Sequence, residues 1–104
     1  NIQPFTDDDG RYRNYPIFSF SDARQFEIYM LEIDNGGRLA AEAYPQGTQA
    51  YITVFAGKLT IEMNGEEYFV TIGNSMHFRA DMPHFYCNHE NEQVLLSMVI
   101  YYPH

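Results

Sequence analysis

Lys58-Leu59-Thr60-Ile61-Glu62-Met63-Asn64-Gly65-Glu66-Glu67-Tyr68-Phe69-Val70-Thr71-Ile72 is the stretch that decides the fold class. Lys58, Thr60 and Glu62 alternate with Leu59, Ile61 and Met63. That is the pattern of a half-buried strand, whose side chains point alternately to opposite faces. Tyr68, Val70 and Ile72 resume the alternation after a break at Asn64-Gly65. Both central residues of a type I′ turn need positive φ, which Asn and Gly tolerate best, so the segment predicts a β-hairpin.

The same signals spread outward. Turn marks stand at Asn35-Gly36-Gly37, Pro45-Gln46-Gly47, Ala56-Gly57, Gly73-Asn74 and Asp81-Met82-Pro83. They recur about every ten residues, which predicts an all-β sandwich or barrel. Phe26 to Ile33 and Val94 to Tyr102 are apolar on both faces. They read as central strands, or as strands covered by a second copy of the chain. Ser21-Asp22-Ala23-Arg24 has room for one helical turn at most. Asn1 to Asn14 holds Asp7-Asp8-Asp9-Gly10 with Arg11 and Arg13 and shows no apolar period. It reads as a linker or an arm laid on the surface, residues 1–14, followed by one domain over residues 15–104.

The whole sequence has 104 residues, enough for one domain. It is 45% hydrophobic and carries nine Tyr and eight Phe, material for a core and for a pocket with polar handles. The net charge of -8 repels a polyanion, so these residues by themselves make a poor nucleic-acid binder. The single cysteine, Cys87, forms no internal disulfide. No apolar run approaches the ~20 residues of a membrane helix, and no secretory signal opens the chain, so a cytoplasmic protein without a membrane partner is expected. Residue 1 is Asn, not Met, which suggests that something precedes it.

Two motifs bear on function. Gly73-Asn74-Ser75-Met76-His77-Phe78-Arg79-Ala80-Asp81-Met82-Pro83-His84-Phe85-Tyr86-Cys87-Asn88 places a Gly, a Pro and a His ahead of an Asn four residues on. Gly37-Arg38-Leu39-Ala40-Ala41-Glu42-Ala43-Tyr44, continuing to Gly57, keeps the frame of a second motif. Together they resemble the two motifs of the cupins, small double-sheet barrels. The resemblance covers roughly Phe26 to Pro103 and implies an all-β fold, a single cupin-type double-stranded β-helix, or jelly-roll, barrel. Phe78-Arg79-Ala80-Asp81, Pro83-His84 and the closing Tyr101-Tyr102-Pro103 resemble more narrowly the cupin domains fused behind an Xre-type helix-turn-helix. That implies a small-molecule-sensing and dimerisation domain. DNA would be met only through a missing N-terminal domain, and the partners would be an unknown small-molecule effector and a second copy of the chain.

The cupin metal set is two His at i and i+2, a Glu and a further His. Carried over residue by residue, it meets Glu42 and Tyr44, then Ala50, and only His84 is in place. The expectation is no cofactor and a dismantled metal site. Were a divalent metal held, His84 and Glu42 would be its ligands. Glu42, Tyr44, Gln49, His84, Tyr86 and Met98 are the candidate ligand-binding residues. A carboxylate, two phenols and an imidazole suit a polar ligand bearing an amine or hydroxyls. The competing arrangement has Tyr44 and Tyr86 plugging the barrel and bonding to each other or to Glu42. Two further functions compete. One is a free-standing isomerase- or dioxygenase-like enzyme using Glu42 and His84 as an acid–base pair. The other is a module that only dimerises. His77 and His89 are expected at the surface. Cys87 is expected to be a small, half-buried, unreactive side chain.

Overall fold

The hairpin expected at Asn64-Gly65 forms. The computed structural model describes residues 4–21, 25–41 and 44–103. Asn64 and Gly65 take φ of 53° and 76°, and the flanking strands pair from Lys58 opposite Thr71 to Met63 opposite Glu66. The alternation after the turn is only partly used: Val70 is buried, but Tyr68 is exposed and Ile72 falls in the next turn, 64% exposed. That strand is the last of its sheet, where cover on the inner face runs out.

Among the described residues, ten strands follow one another. They are β1 (Phe5–Asp7), β2 (Tyr12–Phe18), β3 (Phe26–Ile33), β4 (Arg38–Ala41), β5 (Gln49–Ala56), β6 (Lys58–Met63), β7 (Glu66–Thr71), β8 (Ser75–Arg79), β9 (His84–Cys87) and β10 (Val94–Tyr101). A short 3-10 turn, Asp8–Gly10, separates the first two. The strands make a six-stranded sheet, ordered β1-β2-β3-β10-β5-β8, and a four-stranded sheet, ordered β4-β9-β6-β7. Every pairing is antiparallel. Leu31, Ile33, Ile52 and Leu96 from the large sheet pack with Leu59 and Ile61 from the small one, all fully buried. The result is the expected jelly roll. Among the described residues no helix is long and apolar enough to cross a membrane.

The two doubly apolar runs are β3 and β10, side by side at the centre of the large sheet. Their inner residues are sealed except half-buried Tyr29, and Ile28, Met30, Leu95 and Val99 on the outer face are half-buried. The N-terminal stretch departs from expectation. β1 runs beside β2, Phe5 opposite Asn14, and β2 pairs in turn with β3, so the boundary drawn at 14/15 falls inside a strand. The three residues of β1 are all exposed, but Tyr12 enters the core at 5% exposure. Arg13 pins the strand, donating to both carboxylate oxygens of Asp34 at 2.7 and 3.0 Å and to Glu32 at 2.9 Å. The alternation here escaped notice because two of the inward positions are Asn14 and Pro16. Of the helical turn considered at residues 21–24, residues 22–24 lie outside the described residues.

Two loops are held by motif residues. Fully buried Asn88 donates from Nδ2 to the carbonyls of Ile33 (2.9 Å) and Glu92 (2.7 Å) and accepts from the Glu90 amide at 2.9 Å. It therefore closes the loop before β10 against the end of β3. Asp81, ion-paired with Arg79, accepts from the Gly47 amide at 2.8 Å and ties the Pro45-Gln46-Gly47 turn to the β8–β9 loop. Gly57 has φ of 77°, and a Cβ there would lie 2.6 Å from the Gln93 carbonyl oxygen. The β5–β6 turn can pass the start of β10 only with glycine at that point.

Candidate functional site

The inner face of β9 carries His84 and Tyr86, spaced i and i+2, and β10 brings Met98 against them. His84 is 1% exposed and Tyr86 2%. Nδ1 of His84 lies 2.9 Å from the Met82 carbonyl, and Nε2 lies 2.9 Å from the Tyr86 hydroxyl. A carbonyl only accepts, so Nδ1 carries the hydrogen. In the neutral ring Nε2 then accepts, and the phenol donates to it. Burial lowers the His84 pKa, the Met82 bond opposing weakly, which keeps the ring neutral. The one phenolic hydrogen is thereby spent, leaving Met98 Sδ in contact with the hydroxyl oxygen at 3.2 Å. Phe78 closes the other side, edge-on to the imidazole at 5.3 Å.

That arrangement bears on the metal that cupin-like motifs imply. Both ring nitrogens of His84 already have partners. Ala50, where the carboxylate ligand would stand, is fully buried and has no donor atom. Tyr44 faces the interior but makes an edge contact with Tyr102 at 6.1 Å. Glu42 lies outside the described residues. The donors that are described therefore do not fit an interior metal.

Beside this plugged axis opens a pocket of about 580 Å³. Tyr12 and Asn14 of β2, Leu39 of β4, Tyr44, Tyr86 and Met98 line it, and β1 supplies a further wall. Among the candidate binding residues, it collects Tyr44, Tyr86 and Met98. His84 lies one step behind Tyr86. Gln49 is placed elsewhere: it points out of the barrel and bonds to Nε2 of His77, whose ring stacks on Tyr51 at 4.5 Å. Gln49 opens β5 one residue before inward-facing Ala50, so alternation turns it outward.

The pocket is polar in a specific way. Oδ1 of Asn14 is buried and finds no hydrogen-bond partner among the described residues. The same side chain bonds to the Tyr12 phenol, so Asn14 and Tyr12 form one polar unit in the pocket wall. The phenols of Tyr12, Tyr44 and Tyr86 are pushed above the usual range by burial, and Tyr44 further by the charge of Glu27. All three stay neutral and can donate or accept. Glu27, buried at 8% exposure, accepts from the hydroxyl of Tyr29 at 2.6 Å and from that of Tyr102. Sequence reading missed Asn14, Tyr12 and Glu27. Position i, i+2 along Tyr12-Arg13-Asn14 was the available sign for the first two; Glu27 lay hidden in a run read as apolar.

The cupin-domain family model matches residues 29–101 of the chain. The chain belongs to the cupin family. Cupins related to it include domains of regulators. It is 24% identical over 87 residues to the HTH-type transcriptional regulator SutR of Escherichia coli (strain K12), covering 84% of this chain and 49% of that protein. The chain thus spans about half the length of that curated relative. The cupin domain of an XRE family transcriptional regulator from Enterobacter cloacae superposes with a TM-score of 0.85 at 21% identity, over 90% of this chain and 99% of that one. An HTH_3 family transcriptional regulator from Vibrio cholerae superposes at 0.84 and 18% identity, over 93% of this cupin and 54% of that chain.

Proposed function

We propose that this cupin is the effector-sensing and dimerisation domain of a cytoplasmic transcriptional regulator that meets DNA through a separate helix-turn-helix domain. The observation that carries the reading is the pocket lined by Tyr12, Asn14, Tyr44 and Tyr86 beside a plugged barrel axis. Regulator relatives over most of the chain support it. An enzyme needs a free base or a metal on the axis. His84 offers neither, with one nitrogen on a backbone carbonyl and the other on a phenol. The pocket calls for a small molecule with hydrogen-bond donors, an amine or a polyol, met by Asn14 and the neutral phenols.

Phe5, Thr6 and Asp7 of β1 form part of the pocket wall. A ligand there touches the strand nearest the N-terminus, through which an upstream domain would be joined. The mechanism is a population shift: the effector favours the β1 position it contacts, and so one spacing of two DNA-binding domains.

A thermal-shift screen of the chain against primary amines, amino acids and polyols tests the reading. A true effector near a hundred times its Kd stabilises by about 2.7 kcal/mol. Asn14→Leu, which removes the acceptor, abolishes that gain. A broad panel without a stabilising member would leave a module that only dimerises, and turnover of any panel member would return the enzyme reading.

A further inference from the structure

On the face of the four-stranded sheet turned away from the core, Cys87, Glu62 and His89 converge. We propose that Cys87, His89 and Glu62 form a three-residue binding site for a zinc-class divalent cation outside the barrel, its fourth position open to solvent. Sγ of Cys87 lies 3.5 Å from Oε2 of Glu62. Nε2 of His89 lies 3.8 Å from that same oxygen and 3.8 Å from Oε2 of Glu67. The ligand atoms of Cys87, Glu62 and His89 all lie within 4.8 Å of one another.

These distances are the edges of a coordination tetrahedron. With Zn–S of about 2.3 Å and Zn–O or Zn–N of about 2.0 Å, the S···O edge is about 3.5 Å and the N···O edge about 3.3 Å. The first edge is already met. The second needs a closing of about half an ångström, and the thiol–imidazole edge, up to 4.8 Å apart, a closing of up to about 1.3 Å, both of which the half-exposed His89 side chain is able to make.

The surroundings suit a metal ligand set. Glu62 is oriented by Arg38, which donates to Oε1 at 3.0 Å and leaves Oε2 facing the thiol and the imidazole. Arg38 is itself fixed, its guanidinium 3.8 Å from the centre of the Phe85 ring. A carboxylate held through one oxygen and ligating through the other is the usual outer-sphere arrangement of zinc sites. Mixed thiolate, imidazole and carboxylate donors select zinc-class ions over magnesium or calcium. The sheet register makes the cluster: Glu62 stands opposite Phe85 on β9 and opposite Glu67 on β7, and Cys87 and His89 follow two and four residues after Phe85.

The test is titration of the tag-free, chelator-treated chain with Co²⁺, followed by its thiolate-to-cobalt charge-transfer absorption, with Zn²⁺ in competition. The expected result is one ion per chain, a thiolate band displaced by Zn²⁺, and loss of the band in Cys87→Ser. His89→Gln, a change at an exposed side chain that leaves folding intact, weakens binding about tenfold or more. Absence of a thiolate band, or binding that neither substitution alters, overturns the proposal.

Discussion

Tyr86→Ala is expected to cost about 3–5 kcal/mol of stability, the cost of emptying a large aromatic site in a packed core. The loss has two parts that other substitutions separate. Tyr86→Phe keeps the ring and removes only the hydroxyl. It strands Nε2 of His84, now without a donor in a site 1% exposed, and costs about 1–3 kcal/mol. His84→Leu combined with Tyr86→Phe removes both ends of that bond. The double variant is then less damaged than the two single losses added, by about 1 kcal/mol, because no orphan acceptor remains. Urea unfolding of the four proteins reads these differences. Strict additivity would show that the imidazole and the phenol do not bond.

The same pair gives stability a pH dependence. Burial depresses the His84 pKa in the folded chain, so the unfolded chain takes up a proton first on acidification. The contribution of neutral His84 is present above the unfolded value of about 6.5 and is lost as pH falls below it toward the folded value. His84→Leu flattens that part of the profile.

Val99→Glu is expected to separate the two copies of the proposed dimer. Phe18, Ile28, Val99, Tyr51 and His77 stand in cross-strand register, one row across five strands on the outer face of the large sheet. Phe18 and Tyr51 are 47% and 45% exposed, and Phe55 and Tyr101 nearby are 51% and 40% exposed. So much apolar surface on one face suits the proposed dimer, and the row has no acidic or lysine side chain at its centre to repel a second copy. Two-fold pairing of like faces brings each substitution to the centre twice, setting carboxylate against carboxylate. Such a juxtaposition costs several kcal/mol, a weakening of about a hundredfold or more. Sedimentation equilibrium measures it. A wild-type chain that stays monomeric at high concentration would remove dimerisation from the proposed function.

The fold was legible where local chemistry and global shape agree. Asn64-Gly65 announced its turn, and β3 and β10 announced their central place by being apolar on both faces. β2 was illegible for the same reason it matters. Its inward positions are Tyr12, Asn14 and Pro16, and the polar one faces the pocket instead of the core. A strand that lines a binding site loses the apolar period by which strands are recognised. Motif position and i, i+2 spacing put His84 and Tyr86 on one face of a strand, and both lie on the inner face of β9. The bond between them has no mark in the sequence, where Tyr44 and Glu42 are equally plausible partners for the Tyr86 phenol. Gln49 was misplaced by one step of alternation. The Cys87–Glu62–His89 cluster joins residues from two strands and a loop, a contact that only the register of β6 against β9 creates.

Met98 offers the most direct view of the central claim, that an effector binds beside the plugged axis. The chain has five methionines, and of these Met98 lines the pocket. Met63 and Met76 pack elsewhere around the core, and Met30 faces outward on β3. Methyl-labelled methionine spectra, recorded while adding the amines and polyols of the stabilising panel, report which site fills. The account predicts a saturable shift of the Met98 methyl, small changes at Met30 and Met76, and loss of the response in Asn14→Leu. A saturable shift confined to the other methyls, or a Met98 shift indifferent to Asn14→Leu, would contradict it.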